Sequence, residues 1–533
     1  DFKKGVEFKA YATGQLPHAR VIAIESEREF GVSVLERLDE ELRRRGERFR
    51  ELGVQDLAGL RDACDDKMPR ILLVIDEFQE LFVTDDKLSQ DAALLLDRLV
   101  RQGRAFGIHV LLGSQTLAGS YSLARSTLGQ MAVRIALECS DADAHLILSD
   151  ENSAARLLSR PGEAIYNDQN GLVEGNSPFQ VVWLPDAERQ KYLAQIRELH
   201  LALRGNAATQ PEPAIVFEGN VPADPRDNGA LVSVIEQHDD SELREPTLWL
   251  GSAVRIEPPT GLTLRRQSGN NLLIVGQEEP LALGMLTTAV VALAAQRRGA
   301  ELNDTSPSIT VLDGTRPESS EQGAWVELAS ALPGKVEVCG VGEVARVVAS
   351  LSEEVARRTS GDTSGDTSEE SVVADVANST INHGAPHFLV IHDLAQFRNL
   401  RQTEEEFSFS SSSSASGKNG KPTPLDKQFR NLLREGPAVG VHVLLWCDSY
   451  NGLNRFIDRL TLRELDYRVA MQMSSADSTS LIDSPAAGRV GEQRAVFYRD
   501  DLGTQVKFRP YGRPTVEWLG WVAEQMAVEK VVR

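Results

Sequence analysis

Residues 71–78 read ILLVIDEF, an unbroken apolar run that passes directly into Asp76 and Glu77. A short, continuous run of β-formers reads as a strand buried on both faces, as in a parallel α/β sheet. Such sheets take their ligands just outside the carboxyl ends of the strands. The two carboxylates fall at that end. The plainer alternative is a buried strand that closes in an acidic turn.

The acid pair has the make-up of a Walker B segment. On that reading Asp76 holds Mg²⁺ through its hydration shell and Glu77 polarises an attacking water. The flanking sequence supplies the elements such a strand needs. Residues 31–52 place Leu35, Leu38, Leu42, Phe49 and Leu52 on one helical stripe, with Gly53 as a stop. A second helix is expected over 91–104, and another buried strand over HVLLGSQ (109–115). RIALEC (134–139) and AIYND (164–168) are strand-like. The alternation of strand and helix is that of a doubly wound α/β fold.

The second half repeats the first. FLVIHDLAQF (388–397) matches ILLVIDEFQELF, and GVHVLLWCDS (440–449) matches GIHVLLGSQT (107–116). DYRVAMQMSSAD (466–477) matches AVRIALECSDAD (132–143), and RVGE (489–492) matches RPGE (160–163). Two low-complexity stretches, near 359–371 and 402–423, interrupt the repeat and are expected to be disordered surface loops. Residues 205–240, rich in Pro, Gly, Ala and Asn, read as a connector with one short strand, AIVFEG. The expected domains are 1–204 and 241–533.

The second copy has a part that the first lacks. NLLIVG (271–276) is a buried strand opening into QEEPLALGML, where a phosphate loop belongs. With Gly276 as the first glycine, Leu281, Ala282 and Leu283 stand where Gly, Lys and Ser/Thr are required, and Glu278 and Glu279 repel phosphate. His392 replaces the magnesium aspartate and Asp393 the catalytic glutamate. The second copy is therefore expected neither to hydrolyse nor to bind ATP. In the first copy DFKKGVEF (1–8) reads as the end of a strand and its loop, so a phosphate loop is expected upstream of Asp1.

With 533 residues, about two to four domains are expected. Four scattered cysteines without CxxC spacing fit a reducing cytosol and no structural zinc. No run of about 18 apolar residues occurs, so no membrane-spanning helix is expected. A net charge of −21 counts against coating duplex DNA with a broad face.

These landmarks together resemble the FtsK/SpoIIIE branch of RecA-like motor ATPases. The matching residues are DFKKGVEF, LPHARV (16–21), EELRRRGERF, MPRILLVIDEF, GIHVLLGSQT, RIALECSDADAHLIL and RPGEAIY. The resemblance implies tandem RecA-like P-loop NTPase domains with mainly parallel central sheets flanked by helices, ATP and Mg²⁺ as cofactors, and a cytoplasmic motor. It assigns Asp76 to magnesium, Glu77 to catalysis and Gln115 to a polar sensor ending its strand. Arg134 is either a finger reaching a neighbour's nucleotide or a structural ion pair. Arg160 and Glu163 are expected to be structural, and His109 and His442 to serve packing or hydrogen bonding. The implied partners are double-stranded DNA, further copies of the chain and possible other subunits. A DNA translocase is the leading expectation. The alternatives are a type VII protein-secretion motor of EccC type, and an ATPase-derived scaffold.

Overall fold

The computed structural model describes all residues except 4–5, 15, 67, 118–124, 205–213, 238–244, 298–307, 361–384, 404–422 and 528–533. It divides into two compact units. Unit 1 comprises Asp1–Val221 and Val254–Ile256, and unit 2 comprises Pro222–Ala253 and Glu257–Arg533. The low-complexity stretch 407–422 lies outside the described residues, as does 361–371 of the other one.

Unit 1 runs β1 (Val21–Ile24), α1 (Arg28–Leu52), β2 (Ile71–Ile75), α2 (Lys87–Gln102), β3 (Ile108–Leu112), β4 (Arg134–Leu137), α3 (Asp141–Ile147), β5 (Glu163–Asn167), β6 (Asn176–Gln180), α4 (Asp186–Arg204) and β7 (Ile215–Glu218). Helix α1 carries the expected stripe, and Gly53 ends it in the left-handed conformation. Asp86 and Ser89 form a capping box at the start of α2. These two helices bury Val32, Leu35, Leu42, Leu96 and Leu99 against Ile75 and Ile108. Each such side chain contributes about 1.5–3 kcal/mol when fully buried. The connector strand β7 pairs in parallel with β1.

Unit 2 runs α5 (Gly229–Glu236), β8 (Thr247–Ala253), β9 (Thr260–Thr263), β10 (Leu272–Val275), α6 (Glu279–Ala295), β11 (Ile309–Asp313), α7 (Ala324–Ala331), β12 (Val336–Gly340), α8 (Val344–Ser360), β13 (His387–His392), α9 (Leu425–Glu435), β14 (Val441–Cys447), β15 (Tyr467–Met471), α10 (Ser475–Ile482), β16 (Ala495–Arg499), β17 (Thr504–Pro510) and α11 (Val516–Ala527). Its strands form one ten-stranded sheet in the order β12-β11-β13-β14-β10-β15-β16-β17-β8-β9. Pairing is parallel from β12 to β15 and antiparallel beyond. Helix α6, apolar all round, lies buried on one face against Phe388, Val390, Leu444, Val469 and Met471. Helices α8 and α9 cover the other face, against Leu389, Ile391, Val443 and Leu445.

Unit 1 follows the same order with a gap. Strands β2–β3 correspond to β13–β14, and β4–β5–β6 to β15–β16–β17. Among the described residues of unit 1 nothing corresponds to β10, so a parallel pair and an antiparallel trio stand as separate sheets. The expected mainly parallel central sheet is thus realised in unit 2, whereas unit 1 has its two flanks. The expectation that β2 is buried on both faces is also corrected. Leu72, Leu111 and Leu137 are 64%, 52% and 54% exposed, while their counterparts Phe388, Leu444 and Met471 are 0%. Among the described residues of unit 1, no helix covers the counterparts of the residues that α6 covers in unit 2.

Candidate functional site

At the carboxyl end of β2 the chain turns sharply. Glu77 takes φ +52°, a left-handed conformation that a non-glycine residue adopts at a cost of about 1 kcal/mol or more. Its counterpart Asp393 does the same at φ +55°. The turn sends Asp76 outward, exposed, and buries Glu77. Oδ1 of Asp76 accepts the Glu77 amide at 3.0 Å. A Cβ on Gly113, just past β3, would lie 2.8 Å from that oxygen. Glycine there keeps the approach to the Asp76 carboxylate open.

The Glu77 carboxylate is held from two sides. The Gln79 carboxamide donates to its Oε2, and Lys3 Nζ lies 3.3 Å from the same oxygen. Gln79 is itself held, because the Ser114 hydroxyl shares its one proton between Gln79 Oε1 at 2.6 Å and the Thr116 carbonyl at 2.5 Å. The loop after β3 is then tied to α3, where Asp143 Oδ1 accepts from Thr116 Oγ1 and from the Leu117 amide, both at 3.0 Å.

Gln115 does not end a strand as expected. β3 stops at Leu112, and Gln115 lies three residues further on, exposed, in that tied loop. The Arg134 guanidinium donates to the carbonyls of Met131 (3.1 Å), Ile147 (3.3 Å) and Leu148, clasping the end of α3. In unit 2 Arg468 makes the equivalent clasp, buried, to Leu465 (2.9 Å), Leu481 (3.0 Å) and Leu462 (3.0 Å). The same main-chain clasp is thus built in both units. Glu163 accepts the amides of Ser159 and Arg160, each at 3.2 Å, and so closes the RPGE turn, while the Arg160 side chain is exposed.

The corresponding place in unit 2 is filled. Trp446 stands where unit 1 has Gly113, and its indole donates to the Gly276 carbonyl at 2.9 Å. His392 is wedged between Trp446 and Trp325, with ring centroids 4.9 and 5.7 Å away. Burial lowers its pKa to about 4, so the ring is neutral near pH 7. Leu281, Ala282 and Leu283 lie in the core rather than around a phosphate. Burial, and then Glu492, raise the pKa of Glu278. Arg316 bridges Asp393 (3.2 Å) and Asp448 (3.1 Å), which align with Glu77 and Gln115. Burial raises the pKa of Asp393. An aromatic plug and an internal arginine take the room and the charge that a nucleotide needs.

Unit 1 fits the metal-and-water half of an ATP site. It has an exposed carboxylate for hydrated magnesium, a buried carboxylate beside it, and glycine-made space. No GxxxxGK[ST] occurs in residues 1–533, so the phosphate cradle is not part of this sequence. Sequence reasoning missed Gly113, Trp446, Gln79 and Ser114. The first two were visible as a glycine-to-tryptophan change between GIHVLLGSQT and GVHVLLWCDS.

A strand-end acid pair in one unit thus has a filled counterpart at the same place in the other. Residues 1–119 match the model of the FtsK/SpoIIIE family. The chain is 26% identical over 188 residues to the DNA translocase FtsK of Streptococcus agalactiae, covering 33% of this chain and 22% of the relative. It is 28% identical over 191 residues to the FtsK of Streptococcus pyogenes serotype M3, covering 33% and 22%. The chain thus spans about a fifth of the length of these curated relatives. In fold it is similar to the cytoplasmic domain of the type VII secretion ATPase EccC of Thermomonospora curvata (TM-score 0.57, 18% identity, 99% of this chain and 58% of that one). It is also similar to ATPases 2 and 3 of EssC from Geobacillus thermodenitrificans (TM-score 0.50, 14% identity, 96% and 84%). Among the described residues no helix is long and apolar enough to cross a membrane.

Proposed function

We propose that the protein is an ATP-driven motor in which unit 1 hydrolyses and unit 2 does not. The observation that carries this reading is the exposed Asp76 beside the buried Glu77, with Gly113 opposite, at the open end of a parallel strand pair. ATP bound there supplies the phosphoanhydride whose hydrolysis drives movement. Asp76 holds the magnesium through its water shell, and Glu77 takes the proton of the attacking water. The phosphate cradle arrives on a strand and helix that enter between β3 and β4 and cover Leu72, Val74, Leu111 and Leu137. In support, β10 and α6 occupy that place in unit 2. There His442 Nδ1 meets the Asn270 carbonyl, next to β10, at 2.8 Å. In unit 1 its counterpart His109 is exposed. Unit 2, with its plugged site, serves as a docking or regulatory body.

For the cargo we favour a polypeptide. The net charge of −21 opposes a broad grip on nucleic acid. The tandem layout is shared over 99% of the chain with a protein-secretion ATPase. A second reading, translocation of duplex DNA by a ring of copies, is supported by the FtsK relatives over 33% of the chain. Turnover by the native protein separates them. A polypeptide motor is indifferent to duplex DNA at 50 mM salt and accelerated by a substrate polypeptide. Acceleration by DNA that fades steeply between about 50 and 200 mM salt establishes the second reading instead.

A further inference from the structure

The bonds around Glu77 form a relay that no motif announces. We infer that Gln79 is a positioning residue for Glu77, and that Ser114 couples it to the loop bearing Gln115. This inference rests on the catalytic assignment of Glu77 made above.

Three observations carry it. Gln79 lies in the short 3₁₀ turn Phe78–Phe82 and is 7% exposed, although a carboxamide has no packing reason to be inside. Its two ends are used differently, the amide nitrogen donating to Glu77 Oε2 and the carbonyl oxygen accepting from Ser114 Oγ. The amide orientation is thereby fixed by a donor on one side and an acceptor on the other. The bonds engage one oxygen of Glu77 and leave Oε1 for a water.

Unit 2 provides the internal contrast. There Ala395 stands at the Gln79 position, and Gln396, one residue further on, donates to Asp393 Oδ2 at 2.8 Å. The onward link is gone, because Cys447 stands at the Ser114 position and its thiol turns to the Ser449 carbonyl at 3.5 Å. The acid is joined to the β14 loop by Arg316 instead. The unit with the plugged site thus holds its acid from a different position and has neither member of the relay. The unit with the open site has both. A shift of the Gln115 loop is transmitted through Ser114 and Gln79 to the Glu77 carboxylate, so the water-polarising group is aligned by the loop that faces the nucleotide.

The test is steady-state ATP turnover and nucleotide affinity of the native protein carrying Gln79→Ala, Ser114→Ala, Ser114→Thr or Glu77→Gln. Gln79→Ala is expected to lower kcat about 10- to 100-fold, as misplacement of a catalytic group does, with nucleotide Kd within about twofold. Ser114→Ala falls in the same direction by a smaller factor, and Ser114→Thr, which retains the hydroxyl, recovers most of the loss. Wild-type kcat in both alanine variants, with Glu77→Gln inactive, overturns the relay and leaves the assignment of Glu77 standing. Full turnover in Glu77→Gln overturns that assignment itself. If Gln79→Ala does not fold, Ser114→Ala decides, since it removes a single hydroxyl. Losses of kcat matched by equal losses of affinity also count against the relay, because they report a collapsed site.

Discussion

Gly113 and Trp446 hold the same step on equivalent strands, and the difference between them separates an open site from a closed one. The missing Cβ leaves the Asp76 carboxylate approachable, whereas the indole closes over Gly276 and packs against His392. Gly113→Trp in the native protein is expected to abolish magnesium-dependent nucleotide binding by unit 1, as read by titration with a fluorescent ATP analogue; unaltered affinity refutes the role given to this glycine. Histidines make a second residue-scale prediction. Burial pushes His387, His392 and His442 from 6.5 down to about 4. Between those values the unfolded chain binds more protons than the folded one. The stability these rings contribute is therefore complete above about pH 6.5 and drains away as pH falls towards 4. The urea midpoint of unit 2 unfolding should be lower at pH 5 than at pH 7. His442→Gln, which retains a hydrogen-bonding side chain, should flatten part of that slope. Equal midpoints at the two pH values for the unaltered protein are the contrary result.

At the scale of elements, the paired arginine clasps show main-chain bonds that the sequence around Arg134 did not announce. An arginine opening a strand has the same letter whether it serves a neighbour or its own main chain. The distinction depends on where the following helix ends, which one sequence does not reveal. Here the guanidiniums cap the carboxyl ends of α3 and α10. Removing the buried Arg468 leaves three carbonyls without their donor. Arg468→Ala should cost on the order of 3 kcal/mol, measured by chemical denaturation, and a loss under about 0.5 kcal/mol would contradict the clasp. Gln115 was misplaced for a related reason. The apolar run continues to Leu112, the Gly113 amide still donates to the Ile75 carbonyl at 2.8 Å, and the bonds of Ser114 and Thr116 then turn the chain into a loop. What was legible was the period and its interruption. The stripe of α1, the strand ILLVI and the repeat of HVLL all became elements within a few residues of the expected bounds.

On the scale of the whole molecule, the repeat makes the changes of chemistry in unit 2 legible, a phosphate-loop position without lysine and a histidine for an aspartate. The bare face of unit 1 was not legible. ILLVI has the composition of a strand covered on both sides, and composition does not say whether the cover is within the given residues. This bare face predicts behaviour. Residues 1–221 alone should bind a hydrophobic dye such as ANS strongly, and a strand-helix segment equivalent to 271–295 joined ahead of them should suppress that signal. Strong dye binding that persists with the segment in place contradicts the proposed fit.

The central claim is that one acid pair fires and its twin is silent, and ATP turnover by the native protein with Glu77→Gln or Asp393→Asn tests it most directly. The account predicts that Glu77→Gln lowers kcat about 10²- to 10⁴-fold with nucleotide still bound, and that Asp393→Asn leaves turnover at the wild-type rate. Near-normal turnover in Glu77→Gln, or its loss in Asp393→Asn alone, would contradict the account.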